Sequence, residues 1–209
     1  MLRAALCALG AGLAFSASAQ NYVGIGFGGG HAALPSLDAA YLGTPVTATP
    51  DKTDNTSFKL YAGHQFTHNW GVEAGVAELG DGYSARTTVS GAPAGSPSGS
   101  LATRYVAATA TLPLETRFSL FGKIGIAANE FSSHGACLAI FPPRCIVPRS
   151  GSHTGLMAGV GVQYRVAPKL GLRLEYEDYG KMSSDDVWGT GDSGAIKANS
   201  WYLGAQYLF

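Results

Sequence analysis

Apolar residues recur at every second position in eight segments of the chain, each about ten residues long. The pattern is clearest in the last segment, NSWYLGAQYLF (199–209). One face of this segment carries Trp201, Leu203, Ala205, Tyr207 and Phe209. A period of two residues is typical of a β-strand with one apolar face. About ten residues is also the length that a tilted strand needs to cross a bilayer.

Seven earlier segments repeat this alternation. They are NYVGIGFGGG (21–30), SFKLYAGHQF (57–66), WGVEAGVAEL (70–79), RYVAATATL (104–112), FSLFGKIGIAAN (118–129), GLMAGVGVQY (155–164) and LGLRLEYED (170–178). The total of eight is even, so the first and last strands can pair antiparallel and close a barrel without a free edge.

The connections between these segments alternate in length. Three are short and contain Asn or Pro, namely THN, PLET and RVAP. Four are long and cover about residues 30–55, 80–103, 130–152 and 180–198. Outer-membrane barrels have short periplasmic turns and long extracellular loops. The sequence therefore predicts an all-β fold, an eight-stranded antiparallel up-and-down transmembrane barrel with three short periplasmic turns and four long extracellular loops.

The first 20 residues read as a secretory signal peptide. Arg3 precedes a short apolar stretch from Ala4 to Phe15, and the small-residue pattern Ala17-Ser18-Ala19 follows it. The stretch is shorter than the roughly 20 residues of a spanning helix. We therefore predict cleavage near Ala19, a barrel over residues 21–209, and the outer membrane of a Gram-negative bacterium as the location.

Composition agrees with this class. The formal net charge is zero, which gives no reason to expect a nucleic-acid partner. Charged residues make up only 13% of the chain, and glycine is abundant at 29 residues. A soluble eight-stranded barrel also alternates apolar and polar positions. Here the few charges share a face with many glycines, which suits a crowded interior, and aromatic residues gather near the short turns as an interfacial girdle. The girdle residues are Phe66, Trp70, Phe118, Tyr164, Tyr207 and Phe209.

Two stretches resemble a known family. FKLYAGHQFTHNWGVEAGVAELG (58–80) looks like the second hairpin of the OmpA-type transmembrane barrel and its opacity-protein-like relatives, and GLRLEYEDYG (171–180) looks like their seventh strand. The terminal Phe209, with apolar partners at every second position, resembles the signal that the outer-membrane assembly machinery reads. Longer members of the family continue into a periplasmic peptidoglycan-binding domain. This chain stops at Phe209, so we expect no role as a cell-wall tether.

The charged residues of the strands are predicted to face the lumen. Counting from the short turns gives an inward set of Lys59, Glu73, Lys123, Arg173, Glu175 and Glu177, with Glu73, Lys123, Arg173 and Glu175 at middle height and Lys59 higher. Isolated charges in a confined lumen are costly, so these side chains are expected to pair. Arg173 is the expected hub, because a planar guanidinium can hold two carboxylates at once. A water-filled passage lined by the same charges is the alternative.

Catalytic and metal motifs are weak. The five histidines, His31, His64, His68, His134 and His153, are scattered, with His64 in the lipid-facing register and His68 in a short turn, and no serine motif accompanies them. Asp185, Asp186 and Asp192 of the last loop lack the ligand spacing of a calcium loop. We expect no enzyme activity, no cofactor and no metal site.

Two cysteines remain after the signal segment, Cys137 and Cys145, both in the third long loop. An exported protein and an even count favour a disulfide between them. The bridge would hold the apolar tip from Ile140 to Pro143 in solvent, where exposed apolar residues commonly form a contact surface.

The function predicted from the sequence is a non-enzymatic, structural or adhesin-like surface role, with the long loops as antigens or ligand contacts. A narrow ion channel is the first alternative and a lipid-modifying enzyme the second. An eight-stranded interior is just wide enough for side chains to fill, which disfavours the channel. The expected partners are outer-membrane lipids, lipopolysaccharide, the assembly machinery and a host or surface ligand, with the barrel itself a monomer.

Overall fold

The computed structural model describes residues 20–33, 36–41, 44–96, 98–134, 137–138, 144–145, 150–183 and 195–209. The predicted signal segment, the Ile140–Pro143 tip and the three loop aspartates lie outside these residues. In the described residues no helix is long and apolar enough to cross a membrane.

Thirteen strands make up the secondary structure of the described residues. They are β1 Gln20–Ala33, β2 Leu37–Tyr41, β3 Thr44–Lys52, β4 Asp54–Gln65, β5 Trp70–Val89, β6 Ala92–Gly95, β7 Ser98–Pro113, β8 Phe118–His134, β9 Cys137–Leu138, β10 Arg144–Cys145, β11 Ser150–Ala167, β12 Leu170–Ser183 and β13 Ala195–Leu208.

Eight of these strands form a closed antiparallel ring in the order β1, β4, β5, β7, β8, β11, β12, β13 and back to β1. The first and last strands close it over twelve residue pairs, from Tyr22 opposite Leu208 to Ala33 opposite Lys197. Closure leaves no unpaired edge along the barrel wall, as a membrane requires. The predicted eight-stranded antiparallel barrel is confirmed.

Three tight turns lie at one end of the barrel, between β4 and β5, β7 and β8, and β11 and β12. The first is held by the side chain of Thr67, whose hydroxyl accepts hydrogen bonds from the backbone N–H groups of Asn69 and Trp70. The long connections all lie at the other end. The predicted alternation of short turns and long connections is therefore also confirmed.

The long connections differ from simple loops. Much of the first, predicted as a loop over residues 30–55, is the hairpin of β2 and β3, and β3 pairs with the upper half of β5. Strand β5 itself runs ten residues past its predicted end at Leu79, because its alternation continues with buried Tyr83, Ala85 and Thr87. The sheet thus extends beyond the length that a bilayer needs.

The outward face of the barrel is an apolar band. Its members include Val23, Ile25, Leu60, Val72, Val106, Ile124, Leu156, Leu172 and Leu203, all of them exposed large hydrophobic side chains. Five residues of the predicted girdle, Phe66, Trp70, Tyr164, Tyr207 and Phe209, are exposed near the short-turn end, and Phe118 is half-buried there. Such a surface is suited to lipid rather than to water.

Tyrosines and glycines fit together on the inward face. Tyr22 of β1 lies directly opposite Gly63 of β4, and Gly24 of β1 lies opposite Tyr61. A Cβ atom at Gly24 would come within 2.2 Å of the Tyr61 ring, and one at Gly63 within 2.2 Å of the Tyr22 ring. Each glycine therefore leaves the space that the facing tyrosine fills.

Candidate functional site in the barrel lumen

Six charged side chains form a layer across the middle of the lumen. Lys59 comes from β4, Glu73 from β5 and Lys123 from β8, while β12 supplies Arg173, Glu175 and Glu177. These are the six residues that the sequence analysis placed in the lumen, and each is at most 5% exposed. They lie in the register opposite to the apolar band, which is why strands on different sides of the barrel bring them together.

Glu73 is the most completely paired carboxylate of the layer. Its Oε1 accepts a hydrogen bond from the Tyr105 hydroxyl at 2.8 Å and one from Lys123 Nζ at 2.7 Å. Its Oε2 accepts from the Tyr22 hydroxyl at 3.1 Å and from Arg173 Nη1 at 2.7 Å. Four donors around one buried carboxylate satisfy all of its lone-pair positions.

The two lysines link the carboxylates to one another. Lys123 Nζ lies 2.7 Å from Glu73 and 2.9 Å from Glu175, and it also contacts Glu177. Lys59 Nζ contacts Glu175 and lies 3.0 Å from Glu177. Each carboxylate therefore touches at least two cations, and removal of any one member leaves its partners buried with an unbalanced charge.

Arg173 holds two carboxylates through its two terminal nitrogens. Nη1 lies 2.7 Å from Glu73 and Nη2 lies 3.2 Å from Glu175. The guanidinium also lies over the Phe121 ring, 4.1 Å from the ring centroid. The expected fork geometry is present, but Lys123 contacts three carboxylates and Arg173 only two. Lys123 is therefore the hub of the layer, because its ammonium group on β8 reaches both Glu73 on β5 and the carboxylates of β12, the strand opposite β5 in the ring.

The three carboxylates lie close enough together for their oxygens to surround a metal ion, within 4.8 Å of one another. Three cationic side chains already fill the space between them and balance their charge. A divalent ion would leave the layer with an excess of two positive charges in a buried position. The donor set therefore fits ammonium and guanidinium groups rather than a metal.

An apolar layer closes the lumen on the long-loop side of the charges. It consists of the buried side chains of Leu79, Tyr83, Leu101, Phe131, Met157, Tyr179, Ile196 and Tyr202. The Tyr179 hydroxyl contacts Glu177 and lies 3.1 Å from the Tyr202 hydroxyl, so the two layers are joined by hydrogen bonds. The charged side chains below this layer are buried.

A small polar cavity of about 20 Å³ lies on the short-turn side of the charges. Its lining includes Gln65, Gln163 and Gln206 together with Arg173. Arg173 Nη1 lies 3.4 Å from Gln206 Oε1, so the cavity ends at the charged layer. This volume admits about one water molecule.

The remaining predicted site residues lie apart from the lumen. Trp201, Leu203, Ala205 and Tyr207 of β13, followed by Phe209, occupy the outward register, and the rings of Tyr207 and Phe209 stack 6.4 Å apart. Backbone pairing sets Cys145 opposite Cys137 in the short hairpin of β9 and β10. Their side chains lie outside the described residues, so the disulfide stays a prediction.

Histidines form two contacts on the outer wall. His31 Nδ1 lies 2.7 Å from Asp54 Oδ1 at the long-loop end, where both side chains are exposed. His64 keeps its predicted lipid-facing register but is only 5% exposed, because it lies against the Phe66 ring and hydrogen-bonds with Asn21.

The hydroxyls of Tyr22 and Tyr105, which complete the pairing of Glu73, were missed by the sequence analysis. Both tyrosines fall in the inward register of their segments, and that position was the signal that could have identified them. Their partner depends on which strands face each other across the lumen.

Comparison with known proteins agrees with the geometry. The sequence matches the family model described as the outer membrane protein beta-barrel domain over residues 3–209. No curated protein sequence is similar enough to count as a relative.

Several solved structures share the fold. OprG of Pseudomonas aeruginosa is 14% identical with a TM-score of 0.56, and the match covers 92% of this chain and 96% of that one. Ail, the attachment invasion locus protein of Yersinia pestis, solved with the heparin analogue sucrose octasulfate, is 18% identical with a TM-score of 0.52 over 92% of this chain and 100% of Ail. Neisserial surface protein A is 14% identical with a TM-score of 0.52, covering 90% and 96%. The closed barrel, its apolar outer band and the family match over residues 3–209 all agree. The chain belongs to the outer membrane protein β-barrel family.

Proposed function

We propose that this protein is a non-enzymatic outer-membrane barrel with a sealed lumen, which holds its extracellular strands and loops at the cell surface for contact with a ligand. The observation that carries the proposal is the filled interior. A charged layer at middle height and an apolar layer above it occupy the space that a channel would need.

The charged layer acts as a plug because its members hold one another. Three cations and three carboxylates balance, and the three carboxylates each touch at least two cations. An ion that entered the lumen would have to break these contacts in a low-dielectric surrounding, where an unpaired charge is costly. This supports a scaffold in preference to the narrow channel that is the first alternative.

The extended strands support the surface role. Strand β5 has 20 residues, which corresponds to about 66 Å of extended chain. A tilted strand needs only about 9 to 11 residues to span the bilayer. The remaining part of β5 pairs with β3, β6 and β7 beyond the membrane and gives the extracellular connections a firm base.

The solved structures that share this fold give general support to the proposed surface role. Ail was solved with a heparin analogue, so a barrel of this fold presents a ligand-binding surface in at least one case. We infer the same general use of the extracellular end here. The apolar tip at Ile140–Pro143 and the predicted Cys137–Cys145 bridge are part of this proposal.

A lipid-modifying enzyme is the second alternative. Its best support is the exposed His31–Asp54 pair at the extracellular end, but the Asp54 side chain is 81% exposed, so water screens the pair. The carboxylates of the lumen are all held by cations and are poorly placed for proton transfer to a lipid. We therefore assign the protein no reaction.

Conductance in planar lipid bilayers tests the sealed lumen. The folded wild-type barrel should pass little or no steady current. Arg173→Ala removes the guanidinium that bridges Glu73 and Glu175, and should raise the current or reduce the yield of folded protein.

Arg104→Ala is the matched control, because Arg104 pairs with Glu130 on the outer wall and its side chain is 77% exposed. It should leave both conductance and folding unchanged. A steady wild-type current that Arg173→Ala does not alter would show that the charges line a channel.

A further inference from the structure

Two lysines with no ion-pair partner among the described residues face outward at the extracellular end of β12 and β13. Lys181 lies directly opposite Lys197 in the sheet register, and both are exposed. Like charges that face each other on adjacent strands repel, since their Cβ atoms lie only about 5 Å apart. An arrangement of this kind is stabilised when an anion binds between the two ammonium groups.

A β-bulge creates this lysine pair. The register of β12 against β13 shifts between Asp178, which faces Asn199, and Lys181, which faces Lys197. Gly180 within the bulge has a φ of +80°, and a Cβ atom there would lie 2.5 Å from the Leu156 carbonyl oxygen. The extra residue places Lys181 on the outer face, where an unbroken strand would have placed Gly180.

The acidic side chains nearest to this pair among the described residues have other partners. Asp178 Oδ1 accepts a hydrogen bond from the Gly180 N–H at 2.8 Å and so holds the bulge in shape. Asp54 is paired with His31 at 2.7 Å on the neighbouring strands. Within the described part of the chain, the lysine pair therefore retains a local excess of positive charge.

The position of the lysine pair relative to the membrane identifies the anion. Trp201 and Tyr176 face each other on the same two strands, and both are about half exposed at the upper edge of the apolar band. Lys197 lies four residues above Trp201, or about 13 Å along the strand and less along the membrane normal because the strand is tilted. Lysine side chains at this height reach the polar headgroups of the outer leaflet.

A shallow, open apolar groove lies on the lipid-facing wall. Trp201, Tyr176, Val160 and Leu174 are among the residues that line it. A lipid whose acyl chain lies in this groove carries its headgroup upward along β12 and β13, toward the lysines. The groove, the aromatic pair and the lysine pair thus follow one path up the wall.

We propose that Lys181 and Lys197 together bind a phosphate group of an outer-leaflet lipid of the lipid A class, whose acyl chain occupies the groove below. The site is on the outer wall and is independent of the sealed lumen.

Native mass spectrometry of the folded full barrel in detergent, with diphosphoryl lipid A as the probe, tests this proposal. A lysine near an anionic lipid surface contributes about 1 kcal/mol, or roughly fivefold in affinity. The variant Lys181→Gln/Lys197→Gln should therefore bind lipid A about thirtyfold more weakly. Lys181→Arg/Lys197→Arg should bind as the wild type does, which separates charge from packing.

Arg165→Gln/Lys169→Gln is the matched control, because it removes the same amount of positive charge at the opposite end of the barrel, from the end of β11 and the short turn that follows it. It should leave lipid A binding unchanged, and fully dephosphorylated lipid A should bind the wild type as weakly as lipid A binds the glutamine variant. Three results would each overturn the proposal: full binding by the lysine-to-glutamine variant, equal weakening by the control, or displacement of lipid A by inorganic phosphate at the same concentration.

Discussion

The inward and outward faces of the barrel wall are stabilised by different interactions. Inward side chains are polar or charged and depend on particular partners, as Glu73 depends on four donors from four other strands. Outward side chains such as Ile124 and Leu203 are apolar and need only lipid around them. The inner face is therefore sensitive to any single change, whereas the outer face tolerates change as long as it remains apolar.

The same contrast separates two glycines. Gly24 faces inward, and a Cβ atom there would lie 2.2 Å from the Tyr61 ring. Gly122 lies in the outward register of β8, where the nearest atom to a Cβ would be 3.8 Å away. Glycine is a packing requirement at the first position and a replaceable residue at the second.

The largest expected effect comes from removing one charge of the inner layer. Glu73→Gln removes the carboxylate that contacts both Lys123 and Arg173 and leaves the buried layer with one excess positive charge, so the free energy of unfolding should fall by about 3 to 5 kcal/mol. Urea unfolding in phospholipid vesicles measures the loss.

Glu130→Gln is the control for this change, because Glu130 is half exposed and pairs with Arg104 on the outer wall. An exposed pair contributes about 0 to 1 kcal/mol. Equal losses for the two variants would show that the inner layer is no more sensitive than the outer wall.

A smaller effect is expected from the glycines. Gly24→Ala forces the Tyr61 ring to move in a packed interior and should lower the free energy of unfolding by about 1 to 3 kcal/mol. Gly122→Ala adds a methyl group to the lipid-facing surface and should leave stability unchanged or slightly higher. The same vesicle assay compares the two, and a greater loss for Gly122→Ala would contradict the difference between the faces.

The smallest effect on stability is expected at Phe209, whose side chain is 60% exposed and stacks only on Tyr207. Deletion of Phe209 should change the unfolding free energy little, yet it should lower the amount of folded barrel in the outer membrane if the assembly machinery reads this residue. Heat-modifiable gel mobility of membrane fractions reports the folded amount. Val166→Ala, an exposed change at the same end of the barrel, is the control, and normal folded yield without Phe209 would contradict the assembly role.

Much of the barrel followed from the sequence because alternation in a strand is a local property. A period of two residues decides which side chains share a face, so the apolar band and the inward position of all six charges could be predicted without knowing any strand partner. The number of strands and the order of short and long connections were readable for the same reason.

Other features depended on pairing between distant strands. The central role of Lys123 follows from its reach from β8 to carboxylates on β5 and β12, and the tyrosine partners of Glu73 come from β1 and β7. The continuation of β5 beyond Leu79 depended on β3 and β7 being present to pair with it. None of these contacts is encoded in the spacing of neighbouring residues.

The sequence by itself determined the fold class, the lipid-facing band and the set of charges in the lumen, because each rests on side-chain alternation and on the length of the segments. Tertiary structure alone decided which charges touch, how the lumen is closed and where Lys181 meets Lys197. Those outcomes depend on the register with which eight strands close into a ring and on a single bulge at Gly180. A shift of one residue in any pairing would move every side chain of that strand to the other face.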